Sequence, residues 1–498
     1  MKRSAYLGAW LGAGLLALLA GAMPATAAAA AAAPSAPRHV VDDGPKRHLF
    51  VLTDMEADQD DAESLVRLLL YANEVDIEGL VATTSTHMRH ELHPETIRRI
   101  LDAYAQVQPN LLKHDWRYPA AMKLLGLVAT GQPTYGMEGV GPGKDTAGSN
   151  ALLRALESPD PRPLWVTVWG GPNTLAQALL TLKATHSPAE TSRLLAKLRV
   201  NTISDQDDSG AWIRRTFPDL FYVVSPGGYN HATWGAIMEV VDGIDNRTIS
   251  NAWLREYIQQ GHGPLGAAYP DVAYGMEGDT PSYLPLIPNG LNDADHPDWG
   301  SWGGRFELYT PVIQDLDPTG FTGGVPVEPE TRPIWTNASD AFAPFVHGDY
   351  GRAVAAGPRT FRGARVSLWR WRDDFQNDFA ARIGWTTLPY EKANHPPVIH
   401  LAGPDHLTVR SGEVFTLSAE GTTDPDGDSL SYVWFNYMEA GTLKAPIPTM
   451  GAENIFHMGF RAPVVTKPET AHFIVAVTDK GTPPLTRYKR VIVTILPN

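Results

Sequence analysis

The chain has 498 residues, no cysteine and a formal net charge of −14 at pH 7. The absence of cysteine excludes disulfides and thiolate metal sites, and the acidic excess disfavours binding to a nucleic-acid backbone, which depends on Lys and Arg contacts. The length exceeds what one hydrophobic core usually holds, so two or more domains are expected.

The N-terminus has the pattern of a secretory signal peptide. Lys2 and Arg3 precede an apolar run from Ala5 to Ala22, and Ala25-Thr26-Ala27 offers small residues for cleavage. Residues 1–27 are therefore predicted to be a signal peptide, and the alanine-rich residues 28–46 a disordered lead-in. Because no later stretch approaches about 18 continuous apolar residues, the mature chain is predicted to be secreted or periplasmic, without a membrane span.

The next segment alternates short apolar runs with helical patterns. Residues 48–53 and 77–83 read as strands on either side of a helix at 58–72, and residues 164–168, 173–183 and 198–203 repeat the order strand, helix, strand. This order predicts an α/β domain over residues 47–393, with a mostly parallel sheet flanked by helices.

A second domain is predicted over residues 394–498. Asn394-His395-Pro396-Pro397 reads as a stiff linker. Beyond it, alternating runs at 430–435, 472–477 and 491–495 are separated by turn residues. Short strands at this spacing indicate a small immunoglobulin-like β-sandwich.

An acidic loop follows the first predicted strand. Five carboxylates lie within eight residues: Asp54, Glu56, Asp58, Asp60 and Asp61. Like charges this close disfavour one another without a cation or shifted pKa values, and hard oxygen ligands suit Ca²⁺ or Mg²⁺. The alternative is that residues 58–61 only cap the following helix, where acidic residues are favoured.

Several stretches carry a resemblance to a known family. The acidic loop ending at Asp61 and the stretch 166–176, with its Gly-Gly-Pro-Asn-Thr run, look like the strand-end motifs of nucleoside hydrolases. Further stretches at 203–210, 276–282, 302–305 and 370–382 are closer still to an exported bacterial nucleoside-hydrolase-like family associated with cellulose binding. The resemblance covers nearly all of residues 47–390, and the terminal β-module resembles that family's C-terminal domain.

The resemblance implies a calcium site. It makes Asp61 the bridging ligand, with the backbone carbonyl of Trp169 and the carboxylate of Asp279 as further ligands. Either Asp54 or Glu56 would be the first ligand, and the same two residues are the candidates for the carboxylate that takes a proton from water. The resemblance also assigns Asp60 to the sugar hydroxyls, with a catalytic role. Many true nucleoside hydrolases have a His before the last aspartate to protonate the leaving base, but here that position is Gly278.

Other candidates follow later strands. Asp207 and Asp208 could bind sugar hydroxyls or act as an acid, or could belong to a solvated turn. Asn173 is a candidate for substrate binding on the resemblance. His114, beside Asp115 and Trp116, and His231, near Trp234, could contact substrate or transfer protons, although such histidines are more often packed or on the surface.

Two further groups have structural alternatives. Trp302 and Arg305, with Trp299, resemble a platform for stacking sugar rings, but Gly-rich Trp loops also fill cores. The Asp424–Asp428 turn of the last domain could bind calcium or be a solvated Asp-Gly turn.

The predicted function is a secreted hydrolase that cleaves an N- or O-glycosyl bond with a calcium-activated water. Export favours plant-wall-derived or other extracellular glycosides, although a nucleoside remains an alternative substrate. The rival prediction is a non-catalytic carbohydrate-binding protein, with cellulose as a candidate ligand, that kept the hydrolase fold. A purely structural adhesion protein fits the acidic loops poorly.

Overall fold

The computed structural model describes residues 45–225, 233–312, 328–344, 359–447, 449–450 and 454–498. The predicted signal peptide and almost all of the predicted lead-in lie outside these residues, as does His231. Within the described part of the chain, no helix is both long and apolar enough to cross a membrane.

A large, mostly parallel sheet forms the centre of the main domain. Its eight described strands are β1 (Arg47–Thr53), β2 (Val75–Ala82), β3 (Val128–Thr130), β4 (Leu164–Val168), β5 (Leu198–Thr202), β6 (Phe221–Val224), β7 (Phe306–Tyr309) and β8 (Ile334–Asn337). They lie in the order β3-β2-β1-β4-β5-β6-β8-β7. Only the β7–β8 pairing is antiparallel. The predicted α/β class is confirmed.

Helices cover both faces of this sheet. The α-helices are α1 (Asp60–Leu70), α2 (Pro94–Leu111), α3 (Ala121–Leu125), α4 (Ala147–Glu157), α5 (Asn173–Thr185), α6 (Pro188–Lys197), α7 (Ser209–Thr216), α8 (Asn251–Leu254), α9 (Gly263–Ala267), α10 (Val366–Trp369) and α11 (Arg372–Gly384). Leu49 and Val51 of β1 enter one hydrophobic core, whereas Phe50 and Leu52 enter the other. A strand buried on both faces must be apolar throughout, which explains the unbroken run in β1.

The C-terminal region is a β-sandwich. One sheet has β11 (His406–Arg410), β13 (Leu430–Asn436), β16 (Glu469–Asp479) and β17 (Thr486–Leu496); the other has β12 (Val414–Ser418), β14 (Thr449–Met450) and β15 (His457–Arg461), and a small pair β9 (Asp340–Phe342) and β10 (Phe361–Gly363) precedes them. Side chains of both sheets, among them Phe415, Phe460 and Phe473, share one core.

The sandwich also packs against the main domain. Tyr437, Ile474 and Tyr488 belong to the same hydrophobic cluster as Trp302 and Trp371 of the main domain. The Trp371 ring lies edge-on to Tyr488, with 5.6 Å between ring centroids. Aromatic burial of this kind stabilises the contact between the two regions.

Candidate functional site

The site is built where β1 and β4 end side by side. The backbone N–H of Trp169 donates to the carbonyl of Leu52 at 2.8 Å, which carries the pairing one residue past β4. The next residue is Gly170, and a Cβ built there would lie 2.7 Å from the side chain of Asp54. Only glycine lets the two loops approach this closely, at the edge where parallel sheets collect their ligands.

Three carboxylates meet at this edge. Asp60 and Asp61 come from the first turn of α1, and Asp279 comes from a loop more than 200 positions later. One oxygen from each lies within 4.8 Å of the others, and in the described part of the chain these are the three residues grouped closely enough to hold a metal ion. We call these three residues the carboxylate cluster.

Among the described residues, no basic side chain offsets the charge of the cluster. Burial first, and then the neighbouring carboxylates, raise the pKa values of Asp60, Asp61 and Asp279 above their ordinary range. The Thr53 hydroxyl donates to Asp61 and opposes the shift. One buried oxygen of Asp279, Oδ2, has no hydrogen-bond partner. Buried carboxylate oxygens without a compensating positive charge fit a hard divalent cation.

A buried ion pair holds the Asp279 loop against α1. The Nε of Arg67 lies 2.5 Å from the carboxylate of Glu277, and both side chains are fully buried. The backbone N–H of Glu277 donates to Glu63 at 2.7 Å. Glu277 has a φ of 48°, a conformation that costs free energy in a non-glycine residue and that these contacts stabilise. The sequence pattern did not lead us to this ion pair. The sequence feature that could have pointed to it is an Arg within the buried stripe of α1.

The cluster lies in the wall of a cavity of about 450 Å³, which we call the inner cavity. Its lining residues are Asp54, Ala57, Asp58, Asp60, Asp61, His87, Trp169, Ile203, Gln206, Tyr274, Gly275, Gly278 and Asp279. The volume is within the range of about 300–1,000 Å³ typical of small-molecule sites.

Trp169 and Gln206 meet in this lining. The side-chain amide of Gln206 donates to the Trp169 carbonyl at 2.5 Å. A carbonyl oxygen has two lone pairs, so one remains as a potential metal ligand. The Trp169 side chain points elsewhere, because its Nε1 donates to Ser282 at 3.1 Å.

His87 is a second lining residue that the sequence analysis missed. It follows β2 on the loop that begins at Thr83, next to the end of β1. Desolvation lowers the pKa of His87, and the Asp58 carboxylate opposes that shift. His87 thus lines the cavity, whereas position 278, before the last aspartate, is glycine.

Asp54 and Glu56, the two candidates for the first metal ligand, lie in different surroundings. Asp54 is buried in the inner cavity, and burial raises its pKa. Glu56 has a φ of 78° and its side chain is 43% exposed. It accepts a hydrogen bond from Thr96 and lies 3.9 Å from Arg99 of α2. Glu56 thus lies outside the inner-cavity lining, whereas Asp54 belongs to it, and neither is one of the three residues of the carboxylate cluster.

The other candidates after β4 and β5 lie outside the inner-cavity lining. Asp207 is buried and accepts hydrogen bonds from the backbone of Ser209 at 2.7 Å and of Asn173 at 3.3 Å. The Asn173 side chain donates to Thr84 and to the carbonyl of Thr134, both at 2.9 Å. Asp208 is exposed and accepts from the backbone N–H of Met137. These contacts hold the loops together beside the cavity.

Of the predicted aromatic platform, Trp302 and Arg305 are buried in the interior, whereas Trp299 is half-buried. Trp302 is fully buried and its Nε1 donates to the hydroxyl of Tyr488 at 3.4 Å. Arg305 is buried and pairs with Asp340 at 2.6 Å. Trp299 stacks on His296 with 3.9 Å between centroids. The structure does not bring these residues to the inner cavity, and their contacts are those of packing.

The remaining candidates are also remote. His114 is buried against Trp385, and its Nδ1 lies 3.0 Å from His395 Nε2. In the Asp424–Asp428 turn, the Asp424 carboxylate accepts backbone N–H groups of Asp426 and Asp428 at 2.9 and 3.0 Å. The turn is therefore held by its own hydrogen bonds.

The chain matches two family models and is similar to solved structures. Residues 48–306 match the model described as cellulose-binding Sde182, nucleoside hydrolase-like domain. Residues 414–495 match cellulose-binding protein Sde0182, C-terminal domain. A nucleoside hydrolase-related protein from Saccharophagus degradans, associated with carbohydrate metabolism, is 33% identical over 91% of this chain and 100% of its own, with a TM-score of 0.74.

Two more distant structures are bacterial effectors. The effector protein XOO4466 is 12% identical over 59% of this chain and 89% of its own, with a TM-score of 0.33. The type III effector XopQ, solved with adenosine diphosphate ribose, is 14% identical over the same shares, with a TM-score of 0.27. At these values neither bears on the fold or the site. No curated protein matches the chain.

Proposed function

The chain belongs to the cellulose-binding Sde182 family with a nucleoside hydrolase-like domain, and from this premise we propose that it is an exported, calcium-dependent hydrolase of glycosyl bonds. The observation that carries the proposal is the carboxylate cluster in the inner cavity, with an unpartnered oxygen on Asp279. The family description and the relative's association with carbohydrate metabolism support a carbohydrate rather than a nucleoside as substrate.

The residues that would hold calcium are Asp60, Asp61 and Asp279, with the Trp169 carbonyl as a further ligand. When bound, the ion would supply positive charge that offsets the carboxylates and makes a nearby water more acidic. The Arg67–Glu277 ion pair keeps the Asp279 loop in place, and the first turn of α1 offers its positive dipole end to Asp60 and Asp61.

The reaction needs one proton acceptor and one proton donor. Asp54, buried beside the cluster, would take the proton of the water whose oxygen attacks the anomeric carbon. As the glycosyl bond breaks, its electron pair leaves with the departing atom, and His87 would give that atom a proton. Asp60 and Gln206 face the same cavity and would hold sugar hydroxyls.

The test uses the full chain with one matched control. Bound metal is measured, and hydrolysis of aryl ribosides, arabinosides and glucosides is compared for the wild type, Asp61→Asn and Asp102→Asn. Asp102 is exposed on α2, so its variant makes the same charge change away from the site. We expect calcium binding and turnover in the wild type and the control, with both lost in Asp61→Asn. Equal turnover in all three proteins would refute the assignment.

A second candidate is carbohydrate binding without turnover. It is favoured by Gly278, which stands where many nucleoside hydrolases have a leaving-group acid. This second candidate would be supported if the calcium-loaded protein is retained on cellulose but hydrolyses none of these glycosides.

A further inference from the structure

A second, larger cavity of about 810 Å³ adjoins the inner cavity, and we call it the outer cavity. The two share Ala57, Asp58 and Tyr274 in their linings. The two cavities therefore border each other, and the outer one lies between α2 and α9.

Tyr274 stands where the two cavities meet and is 82% exposed. Its ring offers an apolar face and its hydroxyl a hydrogen-bonding group. An aromatic side chain left in solvent at the junction of two cavities is placed to cover the apolar face of a ligand that passes from one to the other.

The walls of the outer cavity are of two kinds. Ile100 and Ala103 of α2 face Ala267, Ala268 and Pro270, an apolar surface.

The polar part consists of Glu56, Asp58, Gln59, Thr96 and Arg99. Thr96 donates to Glu56 and accepts from Arg99 at 3.3 Å, and the side chains of Glu56 and Arg99 are 43% and 73% exposed. These groups give donors and acceptors for hydroxyls beside an apolar surface.

We infer that the outer cavity is a subsite for the additional sugar units of an uncharged oligosaccharide, with Tyr274 as the stacking platform between the two cavities. This inference rests on the proposed function, because it extends the substrate of the same site. The inner cavity alone has the volume of a complete small-molecule site, so the outer cavity provides room for a longer chain. Glu56 and Asp58 outnumber Arg99 in the lining, which disfavours a polyanionic chain.

The test is calorimetric titration of the full chain with cellotetraose, glucose and a galacturonate tetramer. It is made with calcium present and in the Asp54→Asn background, which removes the proposed proton acceptor but keeps the proposed calcium ligands, so that hydrolysis cannot interfere. We expect cellotetraose to bind at least about tenfold more tightly than glucose. Tyr274→Ala should lower the affinity for cellotetraose by about five- to tenfold. The matched control is Tyr257→Ala, since Tyr257 is also exposed, at 42%, but stacks on Trp253 outside both linings.

A second variant fills the outer cavity. Ala267 is exposed on α9, so Ala267→Trp should fold, abolish the advantage of cellotetraose over glucose and leave glucose binding unchanged. Equal affinities for tetramer and monomer, no loss in Tyr274→Ala and Ala267→Trp, or tighter binding of the galacturonate tetramer would each overturn the inference. Tetramer binding lost in these variants, in a protein whose wild type hydrolyses no glycoside, would refute the proposed hydrolase and leave the subsite standing.

Discussion

Asp279→Asn should stabilise the calcium-free protein, and saturating calcium should remove most or all of that gain. Two unit charges about 4.8 Å apart repel by about 3 kcal/mol at an effective dielectric constant of about 20. Proton uptake relieves part of this repulsion, since the pKa values of the cluster are raised. Removing one charge should therefore stabilise the calcium-free protein by about 1 to 3 kcal/mol.

With calcium the same substitution removes a ligand. If affinity falls about a hundredfold, the stabilisation by saturating calcium falls by about 2.7 kcal/mol. The assay is chemical unfolding of the full chain in chelator and in excess calcium, with Asp102→Asn as the control for charge. A loss of stability of the same size in both conditions would mean that protein groups, not an ion, satisfy the Asp279 carboxylate, and the reasoning would fail.

Three further outcomes are expected. His87→Gln should lower kcat by about 100-fold for alkyl glycosides but much less for nitrophenyl glycosides, which need no proton on the leaving group; equal losses for both would remove His87 as the donor. Burial raises the pKa of Asp374 to about 6, above its unfolded value near 4. The contribution of Asp374 to stability is therefore full below about pH 4 and is lost as pH rises through 6. Between those pH values the free energy of unfolding of the wild type, measured in urea, should fall by up to about 3 kcal/mol relative to that of Asp374→Asn. Asp426→Ala should lower the free energy of unfolding by about 2 to 3 kcal/mol, because Asp426 accepts a hydrogen bond at 3.1 Å from the buried His395, which also bonds His114. Asp428→Ala in the same turn is the control, and equal losses in the two variants would contradict this prediction.

The sequence could predict the fold because its strands are buried on both faces. The apolar run of β1 and the alternation of strand and helix are local signals, and they lead directly to the observed sheet. The acidic loop after β1 was also a local signal, and it lies in the inner cavity.

The roles of individual residues could not be predicted where long-range contacts decide them. The sequence offers Asp54 and Glu56 as equal candidates for the first metal ligand. In the structure, Glu56 has a positive φ and its side chain contacts Thr96, 40 positions later. Trp302 looked like a sugar platform because its partner, Tyr488, lies 186 positions away in the other region. The sequence of a loop shows which side chains it carries, but whether those side chains are exposed depends on the distant residues that pack over the loop.

The ion pair that supports the site is also a long-range contact, but one of its residues is recognisable in the sequence. A single helix, α1, supplies Asp60 and Asp61 in its first turn and Arg67 on its buried face. Arg67 pairs with Glu277, two residues before Asp279, so the helix provides two members of the cluster and the anchor of the third. A buried Arg among leucines is costly unless it is paired. The charged residue in the apolar stripe of α1 therefore indicated that a distant acidic loop must dock there, although not which one.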